Sequence, residues 1–361
     1  MQRAFLRVDD LSELVSGQFG SDRRLVALDR LTGGSKKGVY RLRLDDATTT
    51  ILYVWADVEN YWPAAEAVAD DPFTDASAAE LFEVNHAALT AAGVRVPDLL
   101  LLDRDGRHLD ADLALVEDAG AEHLEALMER DPAAAAGPLA ELGEALRRMH
   151  TTVRARYGKL AALASSKRPA SPQRPTSSQP PTSSQPPTSS QRPASSQRPA
   201  EDVIVDRALR HLDAAAARDG RLADAHHRIA SHLRELREPV QARQKYGLVH
   251  GELGADHVLV NPAGEPVMID FEGLTYFDVE WEHAWLQMRF EGAYQMLRPV
   301  ELDPARLELY RYAQVLSLIE GPLRIAETDF PDREWMLDLA EWNIGKALAP
   351  LPPPYPHQRG A

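Results

Sequence analysis

The chain has 361 residues, 44% of them hydrophobic and 26% charged, which is enough for two lobes around a sizeable core. Acidic residues outnumber basic ones 55 to 40 for a net charge of −15, so nucleic acid and anionic membranes are not expected partners, whereas a cationic small molecule would be attracted. There is no cysteine, which excludes disulfides and thiolate metal sites and suits a reducing cytoplasm; the first residues lack the apolar core of a signal peptide, and no apolar run approaches the ~18 residues of a membrane span.

In chain order, residues 1–20 read as an N-terminal helical segment. Arg24–Leu31, Val39–Leu44 and Thr49–Trp55 then read as strands, the first two joined by a loop of Gly33, Gly34, Ser35, Lys36, Lys37 and Gly38. A helix is expected over about 76–91, because Ser77 followed by Glu80 spells a capping box. Val94–Leu102 and Leu113–Asp118 read as two further strands, and 121–130 and 132–155 as helices. Residues 165–200 carry nine prolines, no acids and a six-residue Thr-Ser-Ser-Gln-Pro-Pro repeat, so a disordered insertion in an exposed loop is expected. Helical periodicity returns at 202–218 and 222–240, then at 279–297, 303–320 and 331–347, with Trp281, Trp285, Trp335 and Trp342 expected in the core. Residues 351–361 read as a flexible tail.

The stretch with the most chemistry lies between those helices. Leu248-Val249 runs into His250-Gly251-Glu252, and Pro266-Val267-Met268-Ile269 runs into Asp270-Phe271-Glu272-Gly273. Short apolar runs bounded by polar residues read as buried strands, and carboxylates at strand ends are held at the rim of a cleft.

These residues resemble the catalytic core of the aminoglycoside phosphotransferase and choline kinase-like families, whose first run is His-Gly-Asp with an Asn five residues on and whose second ends in Ile-Asp. The resemblance implies an α+β, two-lobed protein-kinase-like fold, with a small antiparallel-sheet N-lobe over 21–118 and a mainly helical C-lobe over 119–350. It implies an ATP- and Mg²⁺-dependent phosphotransferase acting on a hydroxyl of a small molecule, an aminoglycoside-like antibiotic or a metabolite. Asp270 matches the family's metal-binding Asp, Glu252 stands at its catalytic Asp, His250 supports the catalytic loop, and His257 stands at the second metal ligand. The family's strand lysine is missing, since no Lys or Arg occurs between Arg43 and Arg95. Lys36 or Lys37 in the glycine loop would replace it, with Glu80 or Glu83 as its helix partner. Glu117 and Asp118 fall at the hinge that would hold adenine. Asp278, Glu280 and Glu282, following the metal Asp, are candidate contacts to the acceptor. The departures at 252, 257 and the strand lysine leave an alternative: a catalytically silent pseudokinase that serves as a nucleotide- or partner-binding regulatory module.

Overall fold

The computed structural model describes residues 3–32, 34–63, 68, 70–74, 77–120, 122–165, 197–298 and 301–349. Most of the 165–200 insertion, the 351–361 tail and Gly33 lie outside the described residues, whereas the last four residues of the insertion are described, Ala200 already as part of a helix.

The N-terminal half is built on an antiparallel sheet of β1 (Leu25–Arg30), β2 (Gly38–Leu44), β3 (Thr49–Trp55), β4 (Leu99–Asp103) and β5 (Asp112–Glu117), in the order β1-β2-β3-β5-β4. The alternation along β2 puts Tyr40, Leu42 and Leu44 on one face, where they meet Leu52, Val54, Leu113 and Leu115 and are covered by Leu11, Leu14 and Val15 around helix α1 (Ser12–Phe19). Ile51, Tyr53, Ala114 and Val116 face the other way, into the core shared with α2 (Ala79–Ala91) and the helical half. The central strand β3 is thus covered on both faces, which is why it reads as a nearly unbroken apolar run. The expected strand over 94–102 shrinks to β4, since Pro97 has no N–H to give a ladder. The capping box also fails: the N-cap falls on Ala78, one residue after Ser77, and makes no side-chain cap.

Beyond β5 come α3 (Leu124–Arg130), α4 (Pro132–Thr151), β6 (Val153–Arg154), β7 (Gly158–Lys159), α5 (Leu160–Ser165), α6 (Ala200–Ala216) and α7 (Gly220–Arg237). Asp131 caps α4 through the Ala134 N–H, and Asp219 caps α7 in the same way. β8 (Tyr246–Val249), fully buried, sits in a second small sheet ordered β6-β8-β11-β7, with β11 at Thr275–Phe277. Between them β9 (Val258–Val260) and β10 (Pro266–Met268) form a hairpin in the register Val258↔Met268. The hairpin is tied to the preceding half by Met268 N–H to Arg95 O, and to the start of its own half by Val260 N–H to Glu122 O.

Helices α8 (Val279–Phe290), α9 (Pro304–Ile325) and α10 (Arg333–Leu348) close the molecule. α8 stops at Phe290 because Glu291 turns to a φ of 43°, and a 3₁₀ turn carries the chain to Met296. Trp281 and Trp285 are buried as expected, but Trp335 and Trp342 are 60% and 67% exposed on the outer side of α10. No helix among the described residues is long and apolar enough to cross a membrane.

Candidate active site

Two turns meet where the small sheet and the hairpin end. β8 delivers His250-Gly251-Glu252 and β10 delivers Asp270-Phe271-Glu272-Gly273; β11 then returns beside β8 in the register Thr275↔Val249. Gly251 has a φ of 100°, and a Cβ there would stand 3.3 Å from Gly273 O, so the two turns lie against each other where a side chain does not fit. Asp270 adopts a left-handed conformation (φ 59°, ψ 39°), an uncommon one for a residue other than glycine, which turns its carboxylate out of the hairpin.

His250 is buried and its Nε2 lies 3.0 Å from Ile269 O, so that nitrogen carries the proton and braces one turn on the other. Burial, with His257 adding to it, depresses its pKa to about 4, so the ring is neutral near pH 7. His257 stacks on it at 5.8 Å. The Nδ1 of His257 meets the Glu252 carbonyl at 3.1 Å, so it too is the protonated nitrogen, and Nε2 faces Asp270 Oδ2 at 3.7 Å. One imidazole therefore spans from the Glu252 backbone to the Asp270 carboxylate. The Glu252 side chain is exposed and engages no hydrogen-bond partner among the described residues.

Lys37 reaches this place from the glycine loop. Its ammonium donates to Asp270 Oδ1 at 2.6 Å and to Glu272 Oε1, and stands 5.1 Å above the ring of Tyr53 on β3. The side chain is 9% exposed. Burial alone would lower the lysine pKa, but Asp270 and Glu272 outweigh it and hold it above the ordinary value. Lys37 in turn is the main reason the Asp270 carboxyl lies far below its ordinary value, while burial pushes Glu272 up. Lys36 goes elsewhere, over the Trp62 ring, and the Ser35 hydroxyl accepts a hydrogen bond from Trp62 Nε1. Gly34 and Gly38 are required by packing: a Cβ at Gly34 would strike Lys37 O, and one at Gly38 the Glu59 side chain.

Glu80 and Glu83 are not brought to Lys37. The register of α2 turns Phe82, Asn85 and Leu89 inward, and the two glutamates face outward toward Arg104. The inward polar residue is Asn85, whose Nδ2 donates to Phe271 O at 2.9 Å and Glu272 O at 3.0 Å. At the hinge the Glu117 carboxylate is held by Arg95 and that of Asp118 by Arg41. Glu117 N–H is spent on Asp98 O.

Asp278, Glu280 and Glu282 do not border the cleft. All three are buried beneath the turns: Asp278 accepts from Arg306 and Tyr310, each at 2.5 Å, and Glu280 from Arg243 at 2.6 and 2.9 Å. Glu282 accepts from the Gly251 N–H at 3.1 Å, below the turn that follows β8, and burial raises its pKa to about 7. Their physical reason for facing inward is the same: each sits at the start of α8 with a donor within reach, Arg306 and Tyr310 for Asp278, Arg243 for Glu280 and the Gly251 N–H for Glu282. Glu272, Asn85, Arg306 and Tyr53 were not singled out by sequence. For Glu272 the available signal was a second acid two residues after Asp270; for Asn85 it was an amide on an otherwise apolar helix stripe.

The assembly brings together a half-exposed carboxylate, a neutral imidazole, a buried ammonium and a free carboxylate. That set can neutralise phosphate and orient a hydroxyl, while among the described residues no group of three or more His, Asp or Glu side chains is gathered to hold a metal ion.

Residues 31–317 match the phosphotransferase enzyme family (APH). No curated protein sequence matches the chain. Among solved structures the chain is similar to aminoglycoside phosphotransferase APH(4)-Ia, at 15% identity and a TM-score of 0.56, over 94% of this chain and 97% of that one. It is similar to spectinomycin phosphotransferase APH(9)-Ia in complex with ADP and spectinomycin, at 13% identity and a TM-score of 0.58, over 96% and 99% of the two chains. A third likeness is to the GDP and kanamycin complex of APH(2")-IIia, at 16% identity and a TM-score of 0.55, over 93% and 98%. These likenesses show the fold, an α+β kinase-like one as the sequence implied.

Proposed function

Because this chain belongs to the phosphotransferase enzyme family, we propose that it transfers the terminal phosphoryl group of ATP to a hydroxyl of a small molecule, in a site made of Lys37, Glu252, His257 and Asp270. The observation that carries this reading is the Lys37 ammonium bonded to Asp270. The chain lacks the strand lysine, and the ammonium that Lys37 of the glycine loop brings to 2.6 Å from Asp270 supports the reading that it serves the phosphates in its place.

Asp270 and His257 are the residues that would hold Mg²⁺. Asp270 offers the oxygen donor that Mg²⁺ prefers, on a half-exposed carboxylate, and His257 Nε2 stands 3.7 Å from it as the second candidate donor. When bound, the cation supplies positive charge to the phosphates. Lys37 supplies a second positive charge in a place shielded from water, where it counts for more than at the surface. Glu252, exposed at the end of its turn, is placed to accept a hydrogen bond from an acceptor hydroxyl. The acidic balance of the chain favours a cationic acceptor such as an amino sugar.

The test is a thermal-shift titration with ATP, with and without Mg²⁺, on the native protein, Asp270→Ala and Glu252→Gln. A ligand at a hundred times its dissociation constant stabilises by about 2.7 kcal/mol, readily seen as a rise in melting temperature. The expected result is a Mg²⁺-dependent shift that Asp270→Ala abolishes and Glu252→Gln retains, with Glu252→Gln losing turnover on any acceptor found. A native protein with no shift would point instead to the silent module.

A further inference from the structure

We propose that Glu272 is the positioning residue for Lys37, a buried counter-charge that keeps the ammonium in place when its other partner is given up to a phosphate. This rests on the phosphotransfer reading above and names how one part of that site is held.

The two carboxylates bonded to Lys37 differ in their surroundings. Asp270 is 51% exposed and Glu272 is 4% exposed. An ammonium has three donors. The one given to Asp270 faces the open side, where an incoming phosphate oxygen can take it. The one given to Glu272 points into protein, and water has no access to replace it. A lysine that left Asp270 without Glu272 would be a buried cation with no fixed counter-charge, which is costly and has no preferred direction. With Glu272 in place the ammonium stays anchored, over the Tyr53 ring, while one donor changes partner.

Glu272 is itself held from the other half of the molecule. Asn85 on α2 donates to the carbonyls of Phe271 and Glu272, and Phe271 stacks on Phe82 of the same helix at 5.1 Å. The helix that sequence reading assigned a glutamate for this lysine contributes an amide instead. That amide fixes the backbone of the turn, and the turn supplies the carboxylate. Both charged groups have moved onto loops, and α2 acts on them through the backbone.

Calorimetric binding of Mg·ATP and of adenosine to the native protein, Glu272→Gln, Lys37→Met and the double variant tests this. Glu272→Gln should weaken Mg·ATP about tenfold, the scale of one charged hydrogen bond, and leave adenosine unchanged. The double variant should bind Mg·ATP no worse than Lys37→Met alone, because Glu272 acts through the lysine. Losses that add, or an equal loss for adenosine, overturn the proposal. If Glu272→Gln does not fold, Lys37→Met/Glu272→Met removes both buried charges together and serves in its place; a deeper Mg·ATP loss than Lys37→Met alone overturns the proposal. A native protein that binds no Mg·ATP overturns the phosphotransfer reading and this inference with it, whereas additive losses in a binding-competent protein overturn the inference alone.

Discussion

Single residues in this site are set by what surrounds them more than by their type. Glu282 shows it: a carboxyl with no cation beside it, buried under the Gly251 N–H, carries a pKa raised from 4.5 to about 7. The folded protein therefore binds that proton more tightly than the unfolded chain does. Stability from this group is full below pH 4.5 and is lost as pH rises toward 7. Glu282→Gln cannot lose a proton, so its melting temperature should gain on the native protein's between those limits and run parallel outside them. Curves parallel throughout would mean that Glu282 is ionised across the range. The sequence made Asp270, His257 and Glu252 legible because they stand at strand ends in a recognisable order. It could not choose between Lys36 and Lys37, since adjacent residues in a loop diverge only when the loop is packed: Trp62 draws one outward and two carboxylates draw the other inward.

At the level of elements, periodicity located most of the regular structure, and local chemistry misplaced some of its ends. β3 was fully legible, because a central strand covered on both faces must be apolar throughout. α2 was legible as a helix, but its working face was not. Glu80 and Glu83 looked like partners for a lysine, whereas the buried stripe of Ala79, Phe82, Asn85 and Leu89 fixes the face turned to the site. Asn85 links that helix to the Asp270 turn through two carbonyls with no water in reach. Asn85→Leu should destabilise the protein by about 1–3 kcal/mol, the scale of leaving buried carbonyls without a donor, in a denaturant titration with unchanged slope. A neutral outcome would show that the turn holds itself. The tryptophans of α10 carry the complementary lesson: Trp335 and Trp342 share the spacing of core residues, and nothing in that spacing says which side of the helix has a neighbour.

In the molecule as a whole, the sheet half and the helical half were legible because each has its own hydrophobic period, and the connection between them was not. The bond from the Met268 N–H to Arg95 O joins them through the backbone, which no side-chain pattern records. The bond of Lys37 to Asp270 and Glu272 joins them too, since the lysine rides on the sheet and the carboxylates on the helical side. That pair is therefore a latch across the seam. Parting the halves means letting water reach the Lys37–Glu272 contact, the dry side of that pair, which is an uphill step. Nucleotide entry then has a clock: the observed association rate of a fluorescent nucleotide should level off at high concentration, where opening is the slower event. Lys37→Met should raise that plateau even as it weakens the complex, and a rate that climbs in proportion to concentration without limit would show an open door.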